Sequence, residues 1–68
     1  MESVYKVIEL VGTSNKSWEE AARVAVNTAS KTLRDLRVAE VKEMDLKIEE
    51  GEVVFRVKMD VSFKYQDS

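Results

Sequence analysis

The stretch VVFRVKMDVSFKY, residues 53–65, alternates without a fault. Val53, Phe55, Val57, Met59, Val61, Phe63 and Tyr65 share one side. Val54, Arg56, Lys58, Asp60, Ser62 and Lys64 share the other. A period of two over thirteen residues is the signature of a β-strand with one buried face. Just before it, EEGE (49–52) reads as a hairpin turn, with Gly51 free to take positive φ. Ahead of the turn, VAEVKEMDLKI (38–48) reads as the partner strand. Its alternation changes phase: Ala39 and Val41 are apolar at odd positions, Met44, Leu46 and Ile48 at even ones. A regular strand cannot present both sets on one face, so a bulge or sharp bend near Lys42–Glu43 is expected, or the far half turns its apolar face toward a different partner.

Further upstream, VYKVIELVG (4–12) is rich in β-branched residues and ends on Gly12, a first strand. TSNKS (13–17) is a polar loop, and Ser17 with Glu20 matches a capping box. From about 18 to 34, Trp18, Ala21, Ala22, Ala25, Val26, Ala29 and Leu33 recur at helical spacing. DLR (35–37) then breaks the pattern. The fold class is α+β, in the order β-α-β-β. A three-stranded antiparallel sheet of order 1-3-2 packs on one helix.

Lengths decide what this fold leaves uncovered. Thirteen strand residues extend roughly 43 Å at about 3.3 Å each. A helix over 18–34 covers roughly 25 Å at about 1.5 Å per residue. Part of the apolar stripe, toward Phe63 or Tyr65, therefore stays bare in a lone chain. Leu46 and Ile48 on the hairpin partner meet the same difficulty. Bare apolar surface of this kind marks an interface.

The chain has 68 residues, enough for one domain, and a core of this size is marginal alone. There is no Cys and no His. Disulfides, thiolate metal sites and imidazole-based catalysis are thereby removed, leaving oligomerisation as the staple and an oxygen-ligand metal as a lesser one. Eleven basic against thirteen acidic residues, net −2, do not suit a nucleic-acid partner. No apolar run approaches the roughly 20 residues of a membrane span. MESVYKVIEL lacks a cleavable signal pattern, so a cytoplasmic location is expected. Ser14, Ser17 and Ser30 lack an imidazole partner, GTS (12–14) is a turn and not a phosphate loop, and an enzyme is not expected.

VYKVIELVGTS, the helix opening on Trp18, KTLRDLRVAEVKE and FRVKMDVSFKY, in that order, resemble the dodecins over nearly the whole chain. The resemblance implies a homo-oligomeric shell, a dodecamer of cubic symmetry. It also implies a flavin (FMN or riboflavin) stacked in pairs between aromatic side chains, stored or sequestered and not turned over. The position of the family's stacking Trp falls on Val38, and that of a ring-edge glutamine in the third strand on Arg56. Asp45 falls among the same flavin-site positions, while Lys31, Thr32 and Arg34 fall near the ligand's phosphate tail. Val lacks the flat face that an aromatic offers. Arg only donates hydrogen bonds, where glutamine donates and accepts. Arg56 is expected to pair with Asp60 or Glu40, or to bind an anion. SWE (17–19) and the VA pair (38–39) resemble the dodecin branch that lacks the stacking Trp and is linked to calcium. No run follows the spacing of an EF-hand loop, so calcium ligands would come from several subunits. A flavin shell, a calcium shell and a structural oligomer without ligand remain the three readings.

Overall fold

In the computed structural model, residues 2–67 are described, and they form β1 (Ser3–Ser14), α1 (Trp18–Ala29), β2 (Leu36–Glu49) and β3 (Glu52–Asp67). The sheet order is β1-β3-β2, with β3 antiparallel to both neighbours. This is the expected arrangement. The turn lies at Glu50 and Gly51, both at positive φ, 48° and 82°.

The phase change in β2 is resolved by a bulge. The pairing shifts between Val41, opposite Met59, and Glu43, opposite Lys58. Lys42 is the extra residue, and it lets Ala39, Val41, Met44, Leu46 and Ile48 all share the face that carries Val53–Val61 at odd positions. A second shift between Leu36 and Val38 brings Leu36 opposite Phe63 on that same face.

The helix is shorter than its apolar spacing predicts, ending at Ala29 and not near residue 34. Side chains stop it. Ser30 Oγ donates to the Asn27 carbonyl at 2.8 Å and Thr32 Oγ1 to that of Ala29 at 3.4 Å. Together with the Lys31, Thr32 and Leu33 amides, which donate to the Thr28 and Ala29 carbonyls, this back-bonding satisfies the terminal carbonyls in a closing turn. Asp35, at φ 59°, then reverses the chain into β2. Lys31 and Arg34 thus lie beyond the helix and do not serve its dipole; no basic residue stands in the last turn. At the other end Ser17 Oγ accepts from the Glu20 amide at 3.0 Å, the hydroxyl half of the expected box.

β1 also departs from expectation, since it runs through Gly12 to Ser14. Gly12 is buried beneath the helix. A Cβ built there would fall on the Ala21 carbonyl oxygen and 2.9 Å from the Ala25 Cβ. The glycine is needed for close approach of helix to strand, not for ending the strand.

Ala21, Ala25, Ala29, Val57, Met59 and Val61 form the buried core, flanked by Ile8, Leu10, Trp18, Ala22, Val26 and Leu36. The helix lies over β1 and β3. The chain extends 52 × 21 × 14 Å, so a 12-residue helix leaves much of the sheet open. Val41, Met44 and Leu46 are about half exposed and Ile48 is 73% exposed, as the length argument requires. At the far end Tyr65 is 63% exposed, whereas Phe63 is only half-buried and not bare. The Lys6 ammonium sits 5.7 Å above the Tyr65 ring.

Candidate functional site

The sheet face turned away from the helix carries the candidate site residues in ordered cross-strand rows. One row is Val7–Ser62–Val38, the next Glu9–Asp60–Glu40. Lys58 then stands between Val11 and Glu43, and Arg56 between Thr13 and Asp45. Carboxylates directly opposite one another repel. Lys58 offsets Glu9 at 3.7 Å and Lys42 offsets Glu40 at 3.9 Å.

Arg56 pairs with Asp45, not with Asp60 or Glu40. Its Nε donates to Asp45 Oδ1 at 2.7 Å and its Nη2 to Oδ2 at 2.9 Å. Two parallel charge-assisted bonds are the strongest geometry that a guanidinium and a carboxylate can adopt. The hydrogen bond from Arg56 holds the Asp45 carboxyl below its ordinary pKa, helped by the opposite charge, and Asp45 raises that of Arg56 in turn. Register explains the partner. The turn sets Glu49 opposite Glu52, and unbroken pairing from there places Asp45 opposite Arg56. The hairpin turn was thus a signal for this pair, readable by counting outward from Gly51.

Asp45 has a second tie on its backbone. Trp18 Nε1 donates to the Asp45 carbonyl at 3.2 Å, while its ring meets Phe55 edge-on at 5.1 Å between centroids. Trp18 therefore pins the start of the helix to the β2–β3 hairpin on the opposite side from Val38. Arg56, Asp45, Val11, Glu43 and Lys58 line a shallow depression of about 80 Å³.

Val38 is not brought to this depression. It is 62% exposed, and its row lies six β3 residues from Arg56, about 20 Å at 3.3 Å per residue. One chain thus cannot apply both positions to one flavin ring. Val38 itself offers no aromatic stacking face, and the Arg56 fork is already filled by Asp45. On one chain these residues do not build a flavin site. Lys31, Thr32 and Arg34 lie elsewhere, in the exposed segment after the helix. Thr32 borders an open apolar groove of about 530 Å³ between α1 and β1.

For a metal, the donor types are suitable, since carboxylates are the ligands that calcium prefers. Among the described residues, however, no three acidic side chains converge on one point. Among the same residues no helix is long and apolar enough to cross a membrane.

Residues 4–66 match the family model described as Dodecin. The calcium dodecin of Mycobacterium tuberculosis is 49% identical over 63 residues, covering 91% of this chain and 89% of its own. The dodecin of Thermus thermophilus is 42% identical over 69 residues, the full length of both. Among solved structures, the calcium-chelating calcium dodecin of M. tuberculosis, with a novel calcium-binding site, has a TM-score of 0.87 at 48% identity, covering 97% of this chain and 96% of its own. The dodecin from Streptomyces davaonensis has a TM-score of 0.91 at 32% identity, covering 98% of this chain and all of its own.

Proposed function

This chain belongs to the dodecin family, and we propose that it assembles into a homo-oligomeric shell, a dodecamer, that binds calcium between subunits and not flavin. It is a binding and storage protein and not an enzyme. The observation that carries the choice of ligand is the closed Arg56–Asp45 fork. A ring edge that needs a donor and an acceptor meets there a guanidinium already satisfied, and at Val38 an aliphatic side chain. Support for calcium comes from the 49% identical relative named for that ion. Assembly is supported by the small core and by the bare apolar face of β2. Since no acidic cluster converges among the described residues of one chain, the oxygen ligands of the ion come from more than one subunit.

Millimolar calcium should raise the melting temperature by several degrees, and a chelator should reverse the rise. A ligand that binds only the native state at 100 times its Kd adds about 2.7 kcal/mol. Magnesium should do much less, because it demands a tighter octahedral cage. Thermal melts followed by circular dichroism, with calcium, magnesium or chelator, provide the check. No shift with calcium, or an equal shift with magnesium, would sink the calcium reading.

A further inference from the structure

We draw no further inference here: the strongest candidate, the open apolar groove of about 530 Å³ between α1 and β1, is an unpartnered surface, and nothing in the structure shows what covers it.

Discussion

Gly12→Val should leave no cooperative thermal transition, and Gly12→Ala should melt at least about 10 °C below the parent. A Cβ at this position lands on the Ala21 carbonyl oxygen and crowds the Ala25 Cβ. Neither is the far end of a flexible side chain, so relief requires the helix to lift from the sheet. Overpacking a core typically costs about 1–3 kcal/mol. A domain of this length has only about 3–10 kcal/mol in total, and each kcal/mol moves the melting point by about 4–8 °C. Lifting α1 also opens the contact of Ala21 and Ala25 with Val57 and Met59, which is most of the core. Gly51→Ala is the control. It sits at φ 82° with nothing within 4 Å of a new Cβ, so it should cost only about 1–2 kcal/mol of backbone strain. Melts of the three variants by circular dichroism decide the matter. A Gly12→Val protein that melts within a few degrees of the parent would show that the helix does not need this close approach.

The second large effect is a gain of binding. Val38→Trp with Arg56→Gln should bind riboflavin at least about 100-fold more tightly than the parent. Trp supplies a stacking face, worth about 0.5–1.5 kcal/mol per contact beyond its buried area. Gln supplies both a donor and an acceptor and removes a charge from the stacked ring. Together these reach about 3 kcal/mol, or roughly 100-fold. Val38→Trp alone should gain far less, because the Arg56–Asp45 fork stays closed. Since Val38 and Arg56 lie about 20 Å apart on one chain, the gain should appear only in the assembled protein. Quenching of riboflavin fluorescence measures all three proteins. A parent that quenches as strongly as the double variant would show that the site was never closed to flavin.

Much of the fold was legible because local patterns and long-range pairing agree. The alternation of 53–65 gave β3, the phase change in 38–48 gave the bulge, and Gly51 gave the turn. What escaped needed atoms brought together from distant positions. Gly12 looks like a strand end, and only its place under Ala21 reveals its role. The helix pattern continues past Ala29 to Leu33, yet Ser30 and Thr32 bond back to carbonyls and end it. Apolar spacing does not register that competition. At the site, the resemblance places Val38 and Arg56 among the family's flavin positions. The strand register separates them by three rows, so only assembly can bring such positions together. The partner of Arg56 was within reach of the sequence, since counting pairs outward from the turn leads to Asp45.

The bare β2 face and a calcium site shared between subunits both presuppose assembly. Multi-angle light scattering of the purified protein, across a range of concentrations, is the direct measurement. The predicted result is one species of about twelve times the 7.8 kDa chain mass. A particle of one or two chains that does not grow with concentration would contradict it.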